Sequence, residues 1–217
     1  MLASLFIDTF QFMADNASLL LDKAVQTAEL AFAALGVSIL IALPLGLWLG
    51  HRHRGLTVAL GVSSVGRALP SIALIGFFVA LLGVGFWNLT VALVVLGVPP
   101  ILTNAYFAVE GVDRDAVEAA RGMGLTEAQI LRRVELPLGL PFILAGIRIA
   151  AVFVIATATI AGIVGGGGLG DIIANQAVYG LAGVLAAALC VSALALLTAA
   201  LLAAAQRAAY HRMAPSA

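Results

Sequence analysis

The side chains able to do chemistry are few, and their placement excludes most chemistry. Histidine occurs three times, at His51, His53 and His211. All three fall in polar connections or the tail, and none belongs to an HExxH pair at helical spacing. No paired carboxylates interrupt an apolar run, so an enzyme's converging acid, base or metal ligands are missing. Gly165 to Gly170 reads Gly-Gly-Gly-Gly-Leu-Gly and formally satisfies GxGxxG. It closes an apolar stretch, however, rather than joining a strand to a helix, so a dinucleotide site does not follow. No GxxxxGK[ST] is present to cradle a nucleotide phosphate. The lone Cys190, in an apolar run, reads as a small helix-packing residue. Charge gathers instead between positions 110 and 135. Six acids stand there (Glu110, Asp113, Asp115, Glu118, Glu127, Glu135) with four arginines (Arg114, Arg121, Arg132, Arg133).

The elements that carry this polar island are set by composition. Of 217 residues 63% are hydrophobic and 10% charged, with a mean hydropathy of +1.13. Soluble domains hold roughly 45–50% apolar and about 25% charged residues. So few charges cannot clothe a water-exposed surface, whereas lipid asks for no such cover. Disorder, nucleic-acid binding and a secreted disulfide scaffold are excluded; a polytopic membrane protein is expected. Lys+Arg and Asp+Glu are both 11, so net charge identifies no partner.

A bilayer-crossing helix needs about 20 mostly apolar residues. Five stretches qualify: 25–50, 56–82, 87–109, 142–164 and 181–206. The expected division is an extracytoplasmic or interfacial segment at 1–24, a membrane domain at 25–206 and a cytoplasmic tail at 207–217. The opening segment has no basic start, and Asp8, Asp15 and Asn16 interrupt its apolar residues, so an amphipathic lead-in is expected rather than a signal peptide. Orientation follows from arginine placement. His51-Arg52-His53-Arg54 separates spans one and two, the polar island separates three and four, and Arg207 and Arg212 follow span five. The opposite side carries Lys23 with Asp8, Asp15, Asp22 and Glu29. The N-terminus is therefore expected outside and the C-terminus in the cytoplasm.

Within the polar island the local signals predict two short helices. Asp113 can N-cap the first, Asp115 favours its positive end, and Gly122 or Gly124 ends it. Thr126 with Gln129 forms a capping box for the second, which Pro137 and Pro141 are expected to limit. Each helix places apolar residues on one face, Val117 and Ala120, then Ile130, Leu131 and Val134. Such a loop either folds back on its own helices or docks a cytosolic partner.

One spacing carries a resemblance. Glu118-Ala119-Ala120, three residues, Gly124, nine residues, Val134, one residue and Leu136-Pro137 resembles the EAA loop of ABC importer permeases, with Val134 where the family has Ile. The resemblance extends over roughly residues 21–205. It is nearest the osmoprotectant branch through Leu69-Pro70-Ser71-Ile72-Ala73-Leu74, Ala145-Gly146-Ile147-Arg148 and the stretch from Ile163 to Ile173. It implies an all-α type I (MetI-like) ABC importer permease fold with five core spans and a cytoplasmic EAA loop at 110–141. It further implies import of glycine betaine, choline, carnitine or a similar quaternary ammonium solute across the bacterial plasma membrane. Glu118, Ala119, Ala120, Gly124, Leu136 and Pro137 would couple to a cytosolic ABC ATPase. ATP and Mg would sit on that ATPase, with no cofactor in this chain. An extracytoplasmic solute-binding protein, a second permease subunit (a copy or a paralogue) and membrane lipid complete the implied partners. Methionine permeases share the plan and are the alternative; an ATP-independent channel or membrane enzyme is a third.

Candidate pathway or gate residues lie inside the spans. Arg67 stands eleven residues beyond Leu56, about 16 Å along a helix, where a charge costs at least ~2.5–3.5 kcal/mol. It would either bond carbonyls freed by Pro70 or face the pathway, where it suits a zwitterion's carboxylate better than a simple cation. Pro99-Pro100 is expected to interrupt span three as hinge or fixed kink, followed by Thr103 and Asn104. Gly168 and Asp171 stand near the external gate by resemblance, with Asp171 the expected N-cap of a short helix.

Overall fold

The computed structural model describes residues 2–53 and 55–213. Arg54 and the tail residues 214–217 fall outside it, as do the side chains of Arg67, His211 and Arg212. The described residues are predominantly helical and contain no strand. In order they form α1 (Leu2–Asp15), α2 (Ala17–His51), α3 (Leu56–Ala68), α4 (Ser71–Leu82), α5 (Phe86–Glu110), α6 (Arg114–Gly122) and α7 (Glu127–Ile130). A π turn (Leu131–Glu135) leads into α8 (Leu136–Ala161), and a second (Gly162–Gly166) precedes α9 (Leu169–Ala174) and α10 (Gln176–Met213).

Four of the described helical segments are long and apolar enough to cross a membrane: Ala17–His51, Phe86–Glu110, Glu127–Gly166 and Gln176–Tyr210. The expected second span is not one helix. The chain leaves α3 at Ala68, and Pro70 holds an extended conformation as N-cap of α4, because a proline disfavours helical geometry at the residue before it. The pair Pro99-Pro100, in contrast, does not interrupt α5, which continues through both. Apolar helices suit lipid because each satisfies its own backbone. Their hydroxyls follow the same rule: Thr9, Thr90, Thr157 and Thr198 each donate to the carbonyl four residues back, at 2.7–2.8 Å.

Two compact units are distinguished. The first comprises Met1–Gly36, Leu69–Leu96 and Ala151–Thr198. Its core gathers Leu20, Leu169, Ile172, Ala186 and Ala187, with Phe12, Ile173 and Cys190 packed around them. The second comprises Val37–Ala68, Gly97–Ala150 and Ala199–Ala217, and buries Ala42, Ile101, Leu102, Ala105, Tyr106, Val109, Ala120 and Ile130. Here α2 and α5 nearly touch backbones. A Cβ on Gly46 would stand 2.6 Å from the Leu102 carbonyl oxygen, and one on Gly50 equally close to that of Tyr106. Small residues four apart allow this approach in the absence of a hydrophobic force between lipid-embedded helices.

Candidate functional site

The polar island folds as a corner capped at each of its helix ends. Asp113 Oδ1 accepts the Asp115 N–H at 2.9 Å, the expected N-cap of α6. At the other end Gly124 adopts φ +82°, the Gly124 N–H reaches the Arg121 carbonyl at 3.0 Å, and the Leu125 N–H reaches that of Ala120 at 3.2 Å. These two bonds make a Schellman motif, which needs a left-handed residue at Gly124. Thr126 and Gln129 complete the expected capping box, with Gln129 Oε1 accepting the Thr126 N–H at 2.8 Å. Arg121 joins α6 to α7 through two hydrogen bonds to Glu127, of 3.1 and 3.2 Å.

The second helix of the island is not short, and neither Pro137 nor Pro141 ends it. Glu127–Gly166 is one helical segment of 40 residues. The π turn explains how the prolines are admitted. The Leu136 N–H bonds the Leu131 carbonyl five residues back, so the turn is widened just before the Pro137 ring. Pro137 follows directly on this widened turn, and α8 continues through Pro141.

Of the six expected coupling residues, Ala120 is buried and anchors α6, while Glu118, Ala119 and Gly124 are exposed beside Met123 (74% exposed). Leu136 and Pro137 are half-buried behind them in the start of α8. Glu118 also lines a cavity of about 360 Å³ with Arg114, Arg121, His53 and Glu135.

Two histidine–glutamate pairs brace this corner, and local sequence signals did not reveal them. His51 Nδ1 lies 2.6 Å from Glu135 Oε2, and its Nε2 lies 3.5 Å from Glu127 Oε2. His53 Nδ1 lies 2.7 Å from Glu110 Oε2. An ionised carboxylate only accepts, so opposite one each Nδ1 is assigned as the donor. The histidines expected merely to extend a basic loop thus tie the end of α2 to the polar island. The partners are 84 and 57 residues apart, beyond the reach of capping or periodicity.

The expected gate residues Gly168 and Asp171 come together in the first unit. Asp171 is not the N-cap of α9; Gly168 holds that position at φ +70°, ψ −165°. The caps come from α2 instead. Gln26 Oε1 accepts the Gly168 N–H at 3.0 Å, and Thr27 Oγ1 accepts the Leu169 N–H at 2.9 Å. A Cβ on Gly168 would meet Thr27 Oγ1 at 2.5 Å. Asp171 is left free to take Lys23, whose Nζ donates to its Oδ2 at 2.6 Å. Pro99 and Asn104 belong to the second unit; Gly66 packs on the Pro99 ring, and Asn104 Nδ2 donates to the Pro100 carbonyl at 2.8 Å. Among the described residues no group of three or more His, Cys, Asp or Glu could hold a metal ion.

Residues 42–211 match the family described as binding-protein-dependent transport system inner membrane component. The chain is 40% identical over 163 residues to the choline transport system permease protein OpuBB of Bacillus subtilis (strain 168), covering 75% of each chain. It is 39% identical over 162 residues to that organism's glycine betaine/carnitine/choline transport system permease protein OpuCB, again covering 75% of each. Among solved structures it is similar to an inward-facing MetNI methionine ABC transporter in its native crystal form, at TM-score 0.74 and 25% identity, covering 89% of this chain and 97% of that one. A family match over most of the chain, four apolar helices and relatives at this identity lead to one conclusion: the chain belongs to the family of binding-protein-dependent transport system inner membrane components and is a multi-pass transporter permease.

Proposed function

We propose that the chain is the membrane subunit of an ATP-driven importer of quaternary ammonium osmoprotectants, namely choline, glycine betaine or carnitine. The relatives named for those solutes, at 39–40% identity, carry the reading of the substrate. The observation that carries the mechanism is the capped corner from Glu118 to Gly124. Its exposed tip leads through α7 and the π turn into α8, an apolar helix of 26 residues.

In this reading the tip inserts into a cleft of a separate cytosolic ATPase, which binds ATP and Mg. Closure of that ATPase displaces α6, held rigid by the Asp113 cap and the Gly124 turn. The Arg121–Glu127 pair passes the movement to α7, and α8 carries it into the membrane. His51, bonded to Glu135, moves the end of α2 along with it. Two permease subunits, identical or paralogous, open alternately to each side, and an external binding protein delivers the solute to the outward-open state. The N-terminus lies outside and the C-terminus in the cytoplasm. That orientation sets the Lys23–Asp171 region toward the binding protein and the polar island toward the ATPase. Gly168, Asp171, Pro70, Pro99, Asn104 and Arg67 are the proposed pathway and gate residues.

Likeness to the methionine transporter structure favours a second reading, import of an amino acid by the same machinery. Uptake of labelled choline, glycine betaine, carnitine, proline betaine and methionine by the reconstituted complex with its binding protein separates the two. ATP-dependent uptake of at least one quaternary ammonium solute and not of methionine is expected. Uptake of methionine alone would reverse the assignment.

A further inference from the structure

We propose that Arg148 of α8 and Arg207 of α10 form a binding site for the phosphate of an anionic phospholipid. Both line a cavity of about 290 Å³ together with Pro141, Ala203, Gln206 and Tyr210. Its polar groups are two guanidiniums, an amide and a phenol, and among the described residues no carboxylate lines it. Neither arginine forms an ion pair with a described residue. Arg148 is half-buried and stands twelve residues into α8, about 18 Å along the axis from Leu136. A half-buried guanidinium without a counterion calls for an anion, and its planar fork matches the oxygens of a phosphate.

The surroundings indicate that the anion comes attached to acyl chains. Both helices lining the cavity are long and apolar enough to cross a membrane. Leu140 and Phe142 beside Pro141, and Leu201 beside Ala203, are exposed apolar side chains, at 38, 61 and 72%. Tyr210, 65% exposed, has the apolar body and polar tip that settle at the headgroup level. Arg207 is the first charged residue of α10, after the long apolar stretch that ends at Ala205. Basic pockets between membrane helices suit anionic headgroups for these reasons. Free phosphate would satisfy the guanidiniums but leave the flanking apolar residues without a partner.

The test uses the full permease complex, delipidated in detergent and incubated with phosphatidylglycerol or phosphatidylcholine, with retained lipid counted by native mass spectrometry. Retention of phosphatidylglycerol over phosphatidylcholine by about tenfold or more is expected. Arg148→Gln/Arg207→Gln should abolish the preference, while Arg148→Lys/Arg207→Lys keeps part of it. Equal retention of both lipids, or an unchanged preference in the glutamine variant, overturns the proposal. So does displacement of the lipid by millimolar inorganic phosphate, which would make this a free-phosphate site. Should the glutamine variant fail to assemble, photoactivatable phosphatidylglycerol applied to the unaltered complex decides. Labelling within residues 203–210 is expected, and absence of lipid label there, with cross-links to another polypeptide instead, overturns the assignment.

Discussion

His51 Nδ1 and Glu135 Oε2 stand 2.6 Å apart, and the glutamate side chain is 1% exposed. This contact fastens the end of one apolar helix to the turn from which another begins. A carboxylate removed from water needs its partner more than a surface one does. His51→Ala should therefore destabilise the permease by about 1.5–3 kcal/mol, the range for a hydrogen bond to a charged group. The double variant His51→Ala/Glu135→Leu should lose less than the sum of the two single changes, read from thermal unfolding of the solubilised protein. Strict additivity would show that the pair is not coupled.

Gly124 is constrained by backbone and not by space. Its φ is +82°, yet nothing lies within 4 Å of where a Cβ would stand. Gly124→Val should strain the Schellman turn by roughly 1–3 kcal/mol and uncouple ATP hydrolysis from uptake, with membrane insertion unchanged. Gly124→Asn, which tolerates the left-handed region, should retain most coupling. Equal loss of coupled uptake in both variants would locate the requirement in side-chain volume at the docking surface instead.

Glu118→Lys places a cation on the exposed face of the corner without touching its caps. ATPase association measured by co-purification should fall, while permease yield in the membrane stays the same. Normal ATP-driven uptake by this variant would count against docking through this face.

Thr27 caps a helix 142 residues away by accepting the Leu169 N–H. Thr27→Val should cost about 0.5–2 kcal/mol, as loss of an N-cap does. Hydrogen exchange at Leu169 and Gly170 should speed up while exchange in the polar island is unchanged.

Gly46 and Gly36 lie on the same helix but in different surroundings. A Cβ at Gly46 would meet the Leu102 carbonyl at 2.6 Å, whereas at Gly36 nothing lies within 4 Å. Gly46→Ala should destabilise by about 1–3 kcal/mol through overpacking. Gly36→Ala should be neutral or stabilising by about 0.5–1 kcal/mol, because it only restrains the unfolded chain. Melting temperatures of the two variants check both signs.

What could be read from sequence was what is decided within a few residues. Asp113, Gly124 and the Thr126–Gln129 pair act over two to five residues, and each performs its expected local task. Apolar length likewise located the long helices, because lipid imposes one simple requirement. Pro70 broke its span as the chemistry of proline demands, but Pro99, Pro100 and Pro137 did not, since a helix can absorb a missing N–H when packing or a widened turn makes room. Asp171 is the residue local chemistry offers as a cap, but the caps of α9 arrive from Gln26 and Thr27 on another helix. The histidine–glutamate braces were hidden for the same reason: contacts between distant segments leave no periodic trace.

In the proposed mechanism the corner around Met123 is held by a separate ATPase during transport. Met123, 74% exposed, offers a position for a single cysteine in a Cys190→Ser background. Disulfide cross-linking of Met123→Cys to cysteines along the ATPase cleft, in reconstituted complexes turning over ATP, measures that contact directly. A cross-link to the ATPase is expected, with a yield that changes with nucleotide and a loss of uptake once it forms. Continued uptake with Met123→Cys cross-linked within its own chain, and none to the ATPase, would contradict it.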